Sequence, residues 1–301
     1  MPELPDVVVY IEALERRVLG EQVTGVRVVS PAVIRTYDPP YDSPVGRRVL
    51  EIDRVGKRIV FGMAKEVSGP IDLYLVIHLM IAGRLRWEVP GKTIQRKVGL
   101  AAIDFAHGSL VLTEQGTKKR AGIWLMSDRE GVADLDRGGV EPLEVTEKQF
   151  GEALRAENRT LKRALTDPRI FSGIGNAYSD EILWEARISP VKRTSQLDDE
   201  EVKRLHGAVV KSLLDWTQRL RDEVGEEWPT KVTAFRDDMA VHGKYGEPCP
   251  RCGSKIQRIV YSSNETNYCA TCQTGGKLLA DRSLSRLLKD DWPQTIEELE
   301  G

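Results

Sequence analysis

The stretch CPRCGSKIQRIVYSSNETNYCATC, residues 249–272, contains all four cysteines of the 301-residue chain. Two Cys-x-x-Cys pairs at this separation are typical of a tetrahedral zinc site, in which four thiolates leave no position for a catalytic water. The residues between the pairs favour a β-hairpin. So small a segment cannot bury a core of its own, so we expect one structural Zn²⁺ to supply folding energy. The predicted ligands are Cys249, Cys252, Cys269 and Cys272.

The alternative for these cysteines is disulfide bonding or redox chemistry. Residues 1–6, MPELPD, lack the basic and hydrophobic regions of a secretory signal. The longest apolar runs, 73–77 and 79–82, fall short of the roughly 18 residues that a membrane-spanning helix needs. We therefore expect a cytoplasmic protein, associated with the nucleoid if its source is bacterial. Disulfides are disfavoured in that compartment, which favours zinc.

The net charge of −2 conceals a local asymmetry. Residues 244–282 contain six basic and three acidic side chains, whereas residues 283–301 contain two basic and five acidic ones. A basic segment around the cysteines is compatible with nucleic-acid binding, which usually shows such a bias. The charge of the whole chain therefore excludes no class of partner.

Upstream of the cysteines the pattern is helical, and further upstream it is that of a sheet. From about residue 141 to residue 223, apolar residues recur at helical spacing, with Thr146 and Thr160 as natural N-caps. Residues 22–137 consist of short strand-like runs separated by Gly, Pro and Asn/Asp breakers, which favours an antiparallel sandwich or barrel. A first helix is expected to open at Pro5 and to end near Gly20.

These patterns predict an α+β multidomain fold. An N-terminal helix plus an antiparallel β-sandwich occupies 1–137, a helical domain 138–243, a zinc finger hairpin 244–276, and a C-terminal extension 277–301. The extension has an amphipathic helical pattern and an acidic balance. We expect it to pack on the body of the protein, with a partner-binding site as the alternative.

The N-terminus is a candidate nucleophile. Removal of Met1 would leave Pro2 with a secondary amine, and an α-amino group has a pKa of about 8, so part of it is neutral at pH 7. Such an amine can attack an aldehyde carbon and form an iminium. Glu3 beside it could act as general acid and base. By itself the pattern is weak, because Pro2 could simply lead into a helix.

Five motifs in order resemble the formamidopyrimidine-DNA glycosylase and endonuclease VIII family. They are MPELPD at 1–6, VGKR at 55–58, HLMIAG at 78–83, FSGIGNAYSDE at 171–181, and GKYGEPC at 243–249 with the cysteine module through Gln273. The resemblance implies a helical domain with a helix–two-turn–helix, and a DNA cleft between that domain and the sandwich. It implies double-stranded DNA with damaged bases or abasic sites as the partner, and we expect a monomer.

The resemblance also implies a reaction. The enzyme turns a damaged nucleotide out of the duplex, the Pro2 amine attacks C1′ as the base departs, and β- and δ-elimination cut the strand on both sides. Glu3 would donate a proton to the sugar ring oxygen. Asp6 stands where the family usually has glutamate, which keeps a carboxylate one methylene shorter.

The residues that the resemblance assigns to DNA binding lie in both halves of the chain. Lys57 and Lys162 would contact phosphate, although an exposed turn lysine is the alternative for Lys57. Asn176, at the head of the signature helix, would bind phosphate with neighbouring backbone N–H groups, in addition to capping the helix. Asn264 stands where the family's finger has an arginine, and Arg258 or Lys255 could substitute for it.

The departures from the family bear on the choice of lesion. Ile81 takes the slot of a methionine wedge, with Met80 beside it, and Lys119 and Arg120 keep cations where the guanine-directed branch has an Arg-x-Phe pair. Ala121 replaces the phenylalanine. The segment before the finger is short, which looks more like the endonuclease VIII branch. A non-enzymatic damage-binding protein on the same fold is the alternative function, but it would not need Pro2 and Glu3.

Overall fold

The computed structural model describes residues 1–233, 235–261, 264–279, 293, 295 and 298. The chain divides into two compact units. We call them the sandwich unit, Met1–Arg137 with Trp216–Thr233, and the finger unit, Gly138–Asp215 with Ala234–Gly301. The finer four-segment division remains a prediction, and the helix expected in the C-terminal extension falls outside the described residues.

Together with the C-terminal end of a long helix that begins in the finger unit, the described part of the sandwich unit contains a first helix, eight strands and a short second helix. Their bounds are α1 (Leu4–Val18), β1 (Val23–Val28), β2 (Arg48–Val55), β3 (Arg58–Ala64), β4 (Leu73–His78), β5 (Gly83–Glu88), β6 (Gly99–Phe105), β7 (Gly108–Glu114), β8 (Gly122–Met126) and α2 (Arg129–Ala133). The strands form two antiparallel four-stranded sheets, in the orders β1-β6-β7-β5 and β2-β3-β4-β8.

One hydrophobic core joins α1 to both sheets. The apolar stripe predicted for α1 is buried there, with Tyr10 and Leu14 fully enclosed. Phe61 of β3 and Leu112 of β7 belong to the same core, so the inner faces of the two sheets pack on one another. The strands of this core correspond to the short runs that Gly, Pro and Asn/Asp breakers separate in the sequence, and β3, β4, β6 and β7 are buried at nearly every position.

Within the sandwich unit, residues 225–233 are held to α1 and to the strands through Trp228. Its indole N–H donates to the carbonyl of Leu85 at 3.0 Å, and its ring lies 5.7 Å from that of Tyr10 and 6.2 Å from that of Trp87. The guanidinium of Arg17 lies over the indole at 5.5 Å. Residues 225–233 are therefore packed against the sandwich through aromatic contacts.

The finger unit begins with helices whose caps follow the sequence prediction. The elements are α3 (Glu147–Arg155), α4 (Leu161–Thr166), α5 (Asn176–Glu185), α6 (Asp199–Val224), β9 (Gln257–Val260), β10 (Glu265–Tyr268) and α7 (Ala270–Thr274). Thr146 forms a capping box with Gln149 at the start of α3, which satisfies two otherwise free N–H groups. Thr160 is the N-cap of α4. The boundary between the units falls within α6.

The predicted α+β fold class is confirmed, including the hairpin between the cysteine pairs. The two short helices α2 and α7 were not predicted, because five-residue helices show too little periodicity. Among the described residues, no helix combines the length and apolar character that a membrane crossing would need.

Candidate active site and zinc centre

The residues predicted to be catalytic lie at the start of α1. Glu3 is the N-cap of this helix, and Glu3 and Asp6 form a reciprocal capping box. The backbone N–H of Glu3 donates to Oδ2 of Asp6 at 2.9 Å. Glu3 and Asp6 are only 2% and 3% exposed, and Pro2 is buried as well. The cap therefore fixes the backbone of residue 3 in an extended conformation within the sandwich unit.

The terminal amine lies among these charges. Burial lowers the pKa of the Met1 amine below its ordinary value of 8.0, and Arg84 and Lys57 act in the same direction. The carboxylates of Glu3 and Asp6 oppose this shift. A lowered pKa increases the fraction of neutral amine at pH 7, and the neutral form is the nucleophile.

Lys57 lies in the tight turn between β2 and β3, next to Gly56, whose φ of 62° is in the left-handed region. Burial lowers the pKa of the Lys57 ammonium, while the charges of Glu3 and Asp6 raise it. Lys57 is thus electrostatically coupled to the catalytic candidates. Its half-buried position differs from that of an ordinary solvated turn lysine.

The wedge candidates lie in the turn between β4 and β5. Met80 has a φ of 53°, which is uncommon for a residue other than glycine, and Ile81 is 57% exposed. Arg84 donates to the carbonyls of Ile81 at 3.3 Å and Gly83 at 2.7 Å. A Cβ atom at Gly83 would lie 2.2 Å from the carbonyl oxygen of Leu79, so the turn requires glycine there. The strained turn projects an apolar side chain into solvent.

The second pair of gap-filling candidates lies in the loop between β7 and β8. Arg120 is exposed, and the ammonium of Lys119 donates to the carbonyl of Glu114. Ala121 is buried in the sandwich core. The position at which the sequence lacks the aromatic filler therefore faces inward in this structure, and Arg120 is the side chain that faces out.

The finger unit contains the remaining predicted DNA contacts. The Nδ2 of Asn176 donates to the carbonyl of Glu265 at 3.0 Å, which ties the first turn of α5 to β10. Arg258 is exposed on β9, and its guanidinium lies 4.3 Å from the centre of the Tyr245 ring. Asn264 is exposed, and its carbonyl accepts from the N–H of Tyr261 at 2.8 Å.

Lys162 has a different environment from the one expected of a phosphate contact. Its side chain is buried, and its ammonium donates to the carbonyl of Asn176 at 2.5 Å and to Oδ1 of Asp180 at 2.6 Å. The other oxygen of Asp180 lies 2.7 Å from Nδ1 of His242. Lys162, Asp180 and His242 therefore form a buried polar network that joins α4, α5 and the segment leading into the finger.

A second buried carboxylate holds that same segment. Glu181 follows Asp180 on α5 and accepts from the backbone N–H groups of Ala240, Val241 and His242 at 2.9, 2.9 and 3.0 Å. Burial raises the pKa of Glu181, and these three hydrogen bonds oppose the rise. The segment leading into the finger is thus held through its backbone by Glu181, in addition to the contact between the His242 side chain and Asp180.

The four predicted zinc ligands converge. Their Sγ atoms all lie within 4.8 Å of one another, with Cys252 and Cys269 at 3.4 Å and Cys249 and Cys272 at 4.0 Å. Tetrahedral Zn–S bonds of about 2.3 Å place the sulfurs about 3.8 Å apart, so the donor set fits. The indole N–H of Trp184 donates to Sγ of Cys249 at 3.4 Å, a contact suited to a metal-bound thiolate.

Sequence reasoning missed several residues that the structure places around these sites. Arg84 and His78 of the sandwich unit interact electrostatically with the terminal amine and with Lys57, respectively. Asp180, Glu181 and His242 organise the finger unit. The adjacent acidic residues Asp180 and Glu181 in α5 were the available sequence signal, since neighbouring carboxylates are rarely buried in a protein interior without partners.

Three family models match consecutive parts of the chain. The N-terminal domain of formamidopyrimidine-DNA glycosylase matches residues 1–120, and the H2TH domain of formamidopyrimidine-DNA glycosylase matches residues 139–219. A zinc finger found in FPG and IleRS matches residues 246–275. This match and the converging thiolates together identify the four-cysteine cluster as the site of one structural zinc ion.

Relatives and solved structures agree with these matches. Formamidopyrimidine-DNA glycosylases from Exiguobacterium sibiricum and Thermus thermophilus are 30% and 32% identical, over 91% and 92% of this chain and 99% and 100% of theirs. A Lactococcus lactis Fpg mutant in complex with Fapy-dG DNA superposes with a TM-score of 0.79 at 28% identity, over 91% of this chain and 100% of that one. The wild-type L. lactis Fpg bound to DNA with an oxidized pyrimidine superposes at 0.78, with the same identity and coverage. The chain therefore belongs to the formamidopyrimidine-DNA glycosylase family.

Proposed function

We propose that the chain is a bifunctional DNA glycosylase and abasic-site lyase of base excision repair, with the terminal amine of Pro2 as nucleophile. The observation that carries this proposal is the position of the terminus, where Pro2 is buried next to Glu3 and burial lowers the pKa of the Met1 amine that precedes it. Removal of Met1 would transfer the amine to Pro2, which is already buried in the same place. A helix cap alone would not require a depressed amine pKa.

The chemistry follows from these groups. The Pro2 nitrogen forms a bond to C1′ of the damaged nucleotide while the bond from C1′ to the base breaks, and the base leaves with the electron pair and takes up a proton. Glu3 donates a proton to the ring oxygen, the sugar opens, and C1′ becomes an iminium carbon. Loss of a C2′ proton expels the 3′-phosphate, and a second elimination expels the 5′-phosphate. Asp6 holds the backbone of Glu3.

Borohydride trapping on abasic duplex DNA tests this mechanism. The mature protein should form a covalent adduct, its mass should begin at Pro2, and Pro2→Gly should weaken cleavage. Glu3→Gln should reduce base excision strongly while sparing part of the cutting at abasic sites, because an abasic sugar already equilibrates with an aldehyde. Specific binding to damaged DNA without any adduct would instead favour a damage-binding protein.

DNA binding would involve both units of one monomer per lesion. Lys57 is proposed to contact phosphate near the lesion, and Asn176 and Arg258 to contact phosphate from the finger unit, with Asn264 as a neutral hydrogen-bonding group. Arg258 is supported by its exposure and by its position over Tyr245, which preorders a long side chain. The environment of Lys162 supports a role inside the protein rather than at the phosphate.

The proposed substrates are abasic sites, oxidised pyrimidines and ring-opened purines, with poor activity on 8-oxoguanine, as in the endonuclease VIII branch. The segment before the finger is short, and the hydrogen bond from the Trp228 indole to the carbonyl of Leu85 fixes the first part of that segment. Ile81, with Met80 beside it, is the proposed wedge, and Lys119 and Arg120 are the proposed cations in the gap.

A single-turnover panel of duplexes tests the substrate assignment. It should contain an abasic site, dihydrouracil, thymine glycol, ring-opened guanine and 8-oxoguanine opposite cytosine, measured side by side. If 8-oxoguanine is excised fastest, the assignment is wrong and the guanine-directed branch is the better description.

A further inference from the structure

The loop between β7 and β8, residues 115–121, is held at its far end by two side chains that the reaction does not use. Oε2 of Glu114 accepts from the backbone N–H of Arg120 at 2.7 Å and from that of Ala121 at 3.0 Å. The guanidinium of Arg35 donates to the carbonyl of Arg120 at 3.0 Å and to that of Ala121 at 3.2 Å. All four backbone polar groups of this dipeptide are therefore bonded to Glu114 or Arg35.

The burial of Glu114 strengthens its two hydrogen bonds to the backbone of Arg120 and Ala121. Glu114 is only 2% exposed, and its backbone carbonyl accepts a hydrogen bond from the ammonium of Lys119. A carboxylate that accepts two backbone N–H groups away from water forms charge-assisted hydrogen bonds, which are stronger than neutral ones. Ala121 is anchored in the core beneath, so the side chain of Arg120 is left to project outward.

The register of the strands brings this loop to the turn that carries the wedge candidate. Across the antiparallel pairs, Gly83 lies opposite Glu114, and His78 lies opposite Gly122. The turn from Leu79 to Ala82 and the loop after Glu114 therefore leave the two sheets at the same corner. Ile81 and Arg120 are exposed side chains on these neighbouring connections.

We infer that Glu114 and Arg35 are positioning residues that hold Arg120 where it fills the gap left by an extruded nucleotide. This inference rests on the proposed function, since it assumes that a nucleotide leaves the duplex. Neither side chain touches the reacting atoms. They act by fixing a backbone from which Arg120 can reach the unpaired base opposite the lesion.

The test compares cleavage of the same abasic site in duplex and in single-stranded DNA. A single strand has no opposite base and no gap, so Glu114→Ala and Arg35→Ala should lower kcat/KM on duplex DNA by about tenfold to a hundredfold, the cost of a misplaced group. On the single strand, the yield of borohydride-trapped adduct with these two variants should remain within about twofold of the wild-type yield, because no gap has to be filled. Glu114→Gln, which retains an acceptor oxygen, should recover part of the duplex activity.

A comparison of double variants separates a positioning role of Glu114 from a general disturbance of the protein structure. In an Arg120→Ala background, Glu114→Ala should cause no further loss on duplex DNA, because the side chain it positions is gone. The fluorescence of 2-aminopurine opposite the abasic site should change on binding of the wild type and not of Glu114→Ala. Equal losses on the two substrates, or additive losses in the double variant, would overturn the inference. If the wild type forms no adduct on either substrate, the proposed function fails instead.

Discussion

Replacing Lys162 by methionine should destabilise the folded protein rather than merely weaken its hold on DNA. The ammonium of Lys162 is 2.6 Å from Oδ1 of Asp180, and Lys162 and Asp180 are 8% and 0% exposed. Methionine keeps much of the apolar stem, so the cavity is small and the loss is mainly electrostatic. The variant leaves the Asp180 carboxylate in the interior without its cation.

The size of the effect follows from the burial of this pair. Breaking a buried ion pair by removing one partner costs about 3–5 kcal/mol, since the remaining charge stays desolvated. Nδ1 of His242 lies 2.7 Å from the other oxygen of Asp180, so that oxygen keeps a hydrogen-bond partner in the variant. We therefore expect a loss at the lower end, about 3 kcal/mol, in the free energy of unfolding.

The assay is urea denaturation of the zinc-loaded chain, followed by circular dichroism. Arg163→Met is the matched control, because Arg163 is the exposed neighbour on the same helix and should change stability by less than about 0.5 kcal/mol. A Lys162→Met and Asp180→Asn double-variant cycle should give a coupling energy of about 1–3 kcal/mol. If Lys162→Met matches the control in stability but lowers the salt dependence of DNA binding by about one phosphate contact, Lys162 is a phosphate ligand and the reasoning is refuted.

Three further predictions concern the metal, the pH dependence and the phosphate contacts. Cys249→Ser should lose zinc and DNA affinity together, measured by metal analysis and a binding titration; lesion binding by metal-free protein equal to that of the native form would contradict this. Burial lowers the pKa of His78 to about 4 from 6.5, with Arg58 and Lys57 acting in the same direction, so its contribution to stability should be lost as pH falls from about 6.5 to about 4. The thermal unfolding temperatures of the wild type and of His78→Gln should converge as the pH falls across that range. Parallel profiles would contradict the prediction. Lys57→Ala should weaken binding to many sequences alike and reduce the slope of log affinity against log salt by about 1; an unchanged slope would remove Lys57 from the phosphate contacts.

The fold was largely predictable because its signals are local. The eight strands of the sandwich unit coincide with the short strand-like runs that Gly, Pro and Asn/Asp breakers separate in the sequence. Thr146 caps α3 through its side chain, and Thr160 occupies the N-cap position of α4 without a side-chain cap hydrogen bond. The zinc ligands were predictable for the same reason, since each pair lies within four residues. A local rule needs no knowledge of the rest of the chain.

The parts of the sites that could not be predicted depend on contacts between residues that lie far apart in the sequence. Asp180 and His242 are 62 positions apart, and Arg35 reaches Ala121 across 86 positions. Nothing in the sequence near either residue indicates its partner. The burial of Ala121 is a similar case, because a loop residue next to two cations is ordinarily expected to face solvent.

The capping box at the start of α1 links the choice of residue at position 3 to the choice at position 6. Because Glu3 serves both as N-cap and as proposed proton donor, a change at position 6 alters helix stability and the placement of the acid at once. Residues 3 and 6 should therefore covary among relatives, with position 6 restricted to side chains that can accept the N–H of residue 3. Transplanting this terminus onto a designed scaffold would require the whole of residues 2–6 and the start of a helix, and not a terminal proline alone.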